Sequence, residues 1–361
     1  TATSYMNLTP DNYFIGHEAG ENLNSGMYNL FLGYQSGKYL HSGSSNISIG
    51  YKSGYSGYNF MSENIFLGNY AGFKNNSYSN IFIGKNAGYN NIRGYENIFI
   101  GNDAGSSSFG YDSIPSLFYH SGNILIGNEA GKMLSTFQGN TIIGSGACKN
   151  STNSNGSTVI GCNAVQNGNL QYSLAIGLYA GETANGQENI YLGNSCGRQN
   201  QGNNNVFIGN SIMSYGSNAL KNKFILHNYG STPLLFGDFS SRYLVVRGDS
   251  SSNTLSLNFF VNGSAGGVGA WTSVSDEKFK TNIQPISEPL EKIMKLKGVN
   301  YNWKNKSWGE GMQIGFIAQE VEKVLPEVVV KNGENYGMQY APITALLVEG
   351  IKAQQKKIEE L

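Results

Sequence analysis

The sequence predicts a mainly β protein. A β-solenoid or β-roll of about twelve rungs, each 16–18 residues long, leads into a short antiparallel β segment and then an α+β domain ending in a coiled-coil helix. Three observations predict this. A short apolar triplet followed by glycine recurs through the first 210 residues at nearly constant spacing. Glycine accounts for 48 of 361 residues, far above the usual share of roughly 7%, while 39% of the chain is hydrophobic, too much for a disordered polymer. From Ser275 onward the composition shifts to Lys, Glu and Leu at helical spacing.

The repeat is legible in "NLFLGYQSG" (29–37), "NIFIGKNAG" (80–88), "NIFIGNDAG" (97–105) and "NILIGNEAG" (123–131), with looser copies as far as "NVFIGNSIM" (205–213). Its first glycine falls at 16, 33, 50, 68, 84, 101, 127, 144, 161, 177, 193 and 209. A fixed short period means stacked units, none of which buries its apolar face alone. The period is too short for helical pairs and suits one solenoid rung of strand, glycine turn, second segment and turn. Successive strand side chains point to opposite faces. On this reading Ile98 and Ile100 fill the interior and Phe99 points outward, leaving an outer apolar row of Phe, Tyr, Leu and Ile. Monomers rarely expose such a stripe, so a homo-oligomer packed along it is expected. The Ala-Gly pairs that close several copies (Ala71–Gly72, Ala87–Gly88, Ala104–Gly105) fit a turn needing positive φ or close backbone approach. The asparagine that opens each copy either bonds neighbouring backbone in turns or stacks in a ladder.

The step from Gly101 to Gly127 is longer than the others. It holds an insertion (106–122) whose Phe109, Tyr111, Phe118, Tyr119 and His120 are candidates for stacking on a sugar or touching a receptor; the alternative is a self-packed decoration. Cys148, Cys162 and Cys196 show no CxxC spacing and read as small buried residues. The four histidines are scattered, so no metal or other cofactor is expected. Net formal charge is zero, which argues against a nucleic-acid or membrane-binding surface. No run approaches the roughly 20 apolar residues of a membrane span. The opening "TATSYMNLTP" carries no signal peptide and reads as the start of a fragment. The repeat resembles the Gly/Asn-rich head repeats of trimeric surface adhesins and of phage tail fibres.

Residues 222–262 drop the repeat and alternate apolar with polar residues between turn signals, as short antiparallel strands do; "VNGSAGGVGA" (261–270) reads as a linker. The expected domains are therefore a repetitive shaft (1–215), a β segment with linker (216–270) and a C-terminal domain (271–361). In the last of these, Ser287-Glu288-Pro289 reads as the start of a helix, and 315–327 as a helix with Ile317, Val321 and Val324 on its apolar face. The final segment spaces Ile343, Leu347, Ile351, Gln354, Ile358 and Leu361 as a coiled-coil seam.

"SDEKFKTNI" (275–283), "YNW" (301–303), "GFIAQEVEKVLPEVV" (315–329) and "YGMQYAPITALLVEGIKAQQKKIEEL" (336–361) resemble the S74-type peptidase domain, the intramolecular chaperone at the C-terminus of phage tail fibres, endosialidases and some bacterial surface fibres. The resemblance implies a domain that trimerises, templates the β fibre before it, and then cuts itself off as a single-turnover serine peptidase. It implies a scissile bond at Val274–Ser275, a catalytic dyad of Ser275 and Lys280, and a supporting role for Asp276. It further implies a homotrimeric, receptor-binding virion tail fibre whose partner is a glycan or protein on a host or prey cell surface. A bacterial surface adhesin of the same build is the alternative.

The chemistry is coherent. A serine hydroxyl needs a base, and a lysine serves as one once desolvated. Ser275 Oγ adjoins the Val274 carbonyl in the chain, so attack there is an N-to-O acyl shift favoured by proximity. Residues five apart point about 140° apart on a helix, so a loop is expected around the dyad. A glycan-hydrolase reading needs paired carboxylates, and Asp103, Asp112, Asp238 and Asp249 show no pairing pattern.

Overall fold

The computed structural model describes residues 6–55, 61–107, 121–212, 219–228, 232–253, 255–262, 265 and 273–361. The chain divides into two compact units, Thr1–Leu234 with Asp238–Ser240, and Leu235–Gly237 with Ser241–Leu361.

The first unit is a β-solenoid of about 13 turns. Its strands stack in parallel from Asn12–Ile15 onward, in strict register: Ile81 pairs with Ile98 and Ile98 with Ile124, while Phe82 pairs with Phe99 and Phe99 with Leu125. The register runs unbroken across the long step between Gly101 and Gly127, so the extra residues there leave the ladder intact. Met6–Leu8 folds back antiparallel on Asn12–Ile15 and pairs with the first rung. The second segment of each rung is stacked too: Gly88 N–H donates to the Ala104 carbonyl, and Gly105 N–H to that of Ala130.

The strand faces are the reverse of the expected ones. Phe99 is fully buried, whereas Ile98 and Ile100 lie half-exposed on the outside. The same holds along the ladder. Phe31, Phe66, Phe82, Leu125, Ile142, Val159, Tyr191 and Phe207 fill the interior, with Phe82 and Phe99 stacked at 4.8 Å between centroids. The asparagine ladder is the cause. Asn97 is buried, and its Oδ1 accepts both the backbone N–H and the side-chain Nδ2 of Asn123, at 3.1 and 2.9 Å; Asn123 Oδ1 does the same for Asn140. A side chain two positions after a buried asparagine shares its face, so the middle residue of the triplet turns inward and both flanking residues turn out. The outer surface therefore carries two apolar columns, not one.

The first glycine of each rung is required by close approach. Gly101 has φ +136°, and a Cβ there would stand 2.3 Å from the Gly127 carbonyl oxygen of the next rung. The alanines (Ala71, Ala87, Ala104) are buried beside the stacked rings. Cys148 and Cys196 are buried as expected, and desolvation pushes both thiols up to about 12. Cys162 is exposed instead. It follows the first glycine of its rung, in the outward column that holds Tyr34 and Tyr51 elsewhere.

Two pairings made by strands of 222–262 are parallel where antiparallel strands were expected. Lys223–Asn228 lies parallel on Val206–Asn210 and continues the ladder as a further rung, with Ile225 and His227 buried. The open edge of the preceding strand supplies unpaired backbone groups, and the segment's own alternation fits the existing columns. Tyr243–Val246 also pairs in parallel with Phe259–Val261. Leu235–Asp238 pairs with Tyr243–Val246, and so short a connection (residues 239–242) allows only an antiparallel hairpin.

The second unit contains α1 (Pro289–Lys295), α2 (Ala318–Val321), α3 (Ile343–Glu359) and two antiparallel strand pairs, Val299–Tyr301 with Gln313–Gly315 and Val329–Asn332 with Asn335–Met338. Its core is small: Val321, Leu325, Val328, Ile343 and Leu346 are buried, with Ile286, Ile293, Leu296 and Phe316 packed against them. α1 begins at Pro289 with no side-chain cap, since Glu288 takes a left-handed conformation there. α2 is only one turn long. Leu325 rather than Val324 is buried below it, and Ile317 is exposed. On α3 the expected seam divides. Ile343 faces the core with Leu346 and Gly350, while Leu347, Ile351 and Ile358 remain exposed as a separate stripe, and Leu361, past the end of the helix, is exposed too.

Candidate functional site

The charged stretch after Val274 folds into a compact turn. Glu277–Phe279 forms a 3-10 helix capped by Asp276, whose Oδ1 accepts the Lys278 N–H at 3.0 Å. Lys278 Nζ lies 3.2 Å from Asp276 Oδ2 and 4.9 Å from the centre of the Phe279 ring. That single tight turn reverses the chain enough to bring residues five apart together: Lys280 Nζ donates to Ser275 Oγ at 2.7 Å. An α-helix would have separated them. Asp276 thus acts through the backbone, holding the turn that holds the pair. Val274, on the other side of the bond in question, is 83% exposed.

The pair meets within one chain and in the open. Every residue from 273 to 285 is exposed. An ammonium group in water donates to a hydroxyl, which is the contact seen here. A lysine accepts a hydroxyl proton only in its neutral form, which exclusion of water or a neighbouring cation favours.

Phe109, Tyr111, Phe118, Tyr119 and His120 lie outside the described residues, as does Asp112. The other aspartates are engaged away from one another. Asp103 lies 3.7 Å from Lys132 Nζ, Asp238 pairs with Lys223, and Asp249 holds a turn through Ser251. They make no carboxylate pair. Among the described residues no helix is long and apolar enough to cross a membrane.

Sequence reasoning missed a cleft of about 460 Å³ in the C-terminal unit, lined mainly by Ile293, Leu296, Phe316, Ile343 and Leu347. Its residues come from α1, α3 and the segment before α2, so no local pattern announces it.

Comparison with known proteins points to the same end of the chain. The family described as chaperone of endosialidase, Peptidase S74, matches residues 275–330. The chain is 34% identical over 94 residues to the long tail fiber protein Gp37 of Enterobacteria phage K3, covering 24% of this chain and 8% of that protein. It is similar at the same identity to the Gp37 of Enterobacteria phage T2, where it spans 7% of the relative. The chain thus spans less than a tenth of the length of these relatives. No solved structure matches it. The match begins at Ser275 itself, the residue on which the Ser–Lys turn is built: the C-terminal unit of this chain carries a Peptidase S74, chaperone-of-endosialidase domain.

Proposed function

We propose that this chain is part of a homotrimeric phage tail fibre that contacts a host-cell surface, and that its C-terminal domain drives trimerisation of the β-solenoid and then releases itself by cutting Val274–Ser275. The observation that carries the cleavage is the 2.7 Å contact between Lys280 Nζ and Ser275 Oγ directly after Val274, inside the matched domain. With Lys280 neutral, Ser275 Oγ attacks the Val274 carbonyl carbon and its proton passes to Nζ. The C–N bond breaks, the Ser275 nitrogen takes a proton and an ester joins Val274 to Oγ. Water then hydrolyses the ester, restoring the hydroxyl and leaving a Val274 carboxylate.

Trimerisation is supported by the outward columns. Ile81 and Ile83, Ile98 and Ile100, and Ile124 and Ile126 repeat the same half-exposed pair rung after rung. Over the whole ladder they amount to on the order of 1,000 Å² of apolar surface, beyond the roughly 300–600 Å² of the largest patch on a typical monomer. Another copy has the same rise per rung and so matches the pattern along its full length. The exposed stripe of α3 supplies a second, helical seam. A helical domain that associates first sets the register for long-range strand stacking, which is otherwise slow and prone to aggregation. Once interleaved, the fibre persists kinetically without it.

Mass spectrometry of the purified trimer tests this reading. Wild type yields a piece ending at Val274, while Ser275→Ala and Lys280→Ala remain intact. Fully trimeric wild-type protein with uncut chains overturns the cleavage, and a folded monomer in the ultracentrifuge overturns the assembly.

A further inference from the structure

The stretch from 273 to 285 has a defined shape yet covers nothing. Every residue in it is exposed, and its apolar members are among the barest in the chain: Val274 at 83%, Phe279 at 70% and Ile283 at 63%. Asp276 caps the turn before Phe279, and Asn282 takes a left-handed φ of +56° just before Ile283, so the backbone displays both side chains on purpose-built turns. The same unit holds the apolar cleft between α1 and α3, with Ile293, Leu296, Phe316 and Leu347 on its walls and Thr344 at its edge. The chain's own exposed stretch does not line this cleft.

The geometry points to an exchange between copies: Phe279 and Ile283 of one chain seat in the α1–α3 cleft of a second. This rests on the assembly reading above and deepens it by naming the contact. Three observations single out a second copy as the occupant. Among the described residues of 273–361 five hydrophobic side chains are buried, which is slight for a domain of this length, as expected when part of the core comes from a neighbour. The uncovered apolar side chains of this unit, with Met294, Met312 and Ile314 each more than 70% exposed beside those above, sum to roughly 1,000 Å², comparable with the about 800 Å² that each partner of a stable interface buries. The cleft's free space of about 460 Å³ suits large apolar side chains, and the identical copy brings two, Phe279 and Ile283, on neighbouring turns of one short stretch.

The consequence is chemical. Ser275 and Lys280 flank Phe279 on the same turn. Seating that turn on a neighbour presses the pair against protein and excludes water, the condition under which Lys280 becomes a base. Cleavage then follows correct association and does not precede it.

Paired cysteines in the full chain test the exchange, with Ser275→Ala to keep it intact and Cys162→Ser to remove the exposed native thiol. One variant combines Phe279→Cys with Thr344→Cys, the other Ile283→Cys with Leu347→Cys; all four positions are exposed. Mild oxidation of the trimer is expected to give covalently joined chains on a non-reducing gel in at least one variant. Trimers in which both variants remain single chains, or close only within a chain, overturn the exchange and leave the assembly reading standing. Failure of Ser275→Ala to trimerise before any cysteine is introduced overturns the assembly reading and the exchange together. In the otherwise wild-type chain, Phe279→Ala with Ile283→Ala should slow cleavage by about tenfold or more; an unchanged rate also counts against the exchange.

Discussion

The two units close their cores in opposite ways. In the solenoid the rungs bury their central side chain and the small residue of the following turn, as at Phe82 with Ala87 and Phe99 with Ala104, and buried asparagines such as Asn80, Asn97 and Asn123 bond to one another between neighbouring rungs of the same chain. In the C-terminal unit five residues form the buried cluster, while Met294, Met312, Ile314, Phe279 and Ile351 stand open to solvent. The solenoid is complete inside and apolar outside; the C-terminal unit is incomplete inside. A repeat of fixed rise satisfies itself along one axis, because each rung is a template for the next. A small α+β domain has no such axis, and here it leaves large apolar side chains uncovered. On the proposed assembly the same contrast separates what each unit takes from a partner copy: cover for a surface in the solenoid, side chains for the interior in the C-terminal domain.

Substitutions can break or sharpen this comparison. The largest effect is expected at the rung glycines. Gly101→Ala drives a Cβ into the Gly127 backbone at a φ that L-residues avoid, and should cost at least about 4 kcal/mol of solenoid stability. Gly298→Ala in the C-terminal unit meets nothing within 4 Å and should change stability by less than about 0.5 kcal/mol. Thermal unfolding of the two variants measures the contrast directly, and equal effects would contradict it.

The asparagine ladder comes next. Asn97→Ala leaves the Asn123 backbone N–H and its Nδ2 without the Asn97 acceptor in a dry interior, at about 1–3 kcal/mol for each group. Urea titration should show the loss at Asn97 but far less at Asn90, a half-buried asparagine whose side chain donates to the Ser106 carbonyl.

The smallest effect is electrostatic. Glu129 accepts from Lys132 at 2.8 Å and lies close to Lys149, and these two ammonium groups hold its carboxyl below the usual range. A carboxyl lowered in the folded state stabilises above the unfolded value, near 4.5, and loses that contribution as pH falls through the folded value. Partial exposure and salt limit it to about 1 kcal/mol or less. The gap in melting temperature between wild type and Glu129→Gln should therefore be open at pH 7 and narrow progressively as pH falls below about 4.5.

Much of this was legible beforehand because repetition averages over local ambiguity. The triplets, the phase of the asparagines and the recurring glycines identify the rung without any long-range information. The inward face was misread at Ile98, Phe99 and Ile100 because three consecutive apolar residues carry no parity of their own. Only the buried Asn97, bonded to Asn123 in the next rung, settles which alternate set turns in. Lys223–Asn228 was missed as a rung because it lacks the glycine signature, and it joins the ladder through an open strand edge instead. Cys162 was misplaced because its neighbours in the outward column are contributed by other rungs. The cleft between α1 and α3 had no signal at all, being assembled from segments that touch only in the folded domain.

By itself, then, the chain's order of residues determined a stacked β architecture and a serine and lysine five positions apart at the entry to a helical domain. Periodicity and turn chemistry are local properties, and they are written in consecutive residues. Folding alone decided which side of each strand is dry, and that Ser275 and Lys280 stand 2.7 Å apart. Both outcomes depend on a direction in space: the first is set by hydrogen bonds between rungs, the second by one capped turn at Asp276.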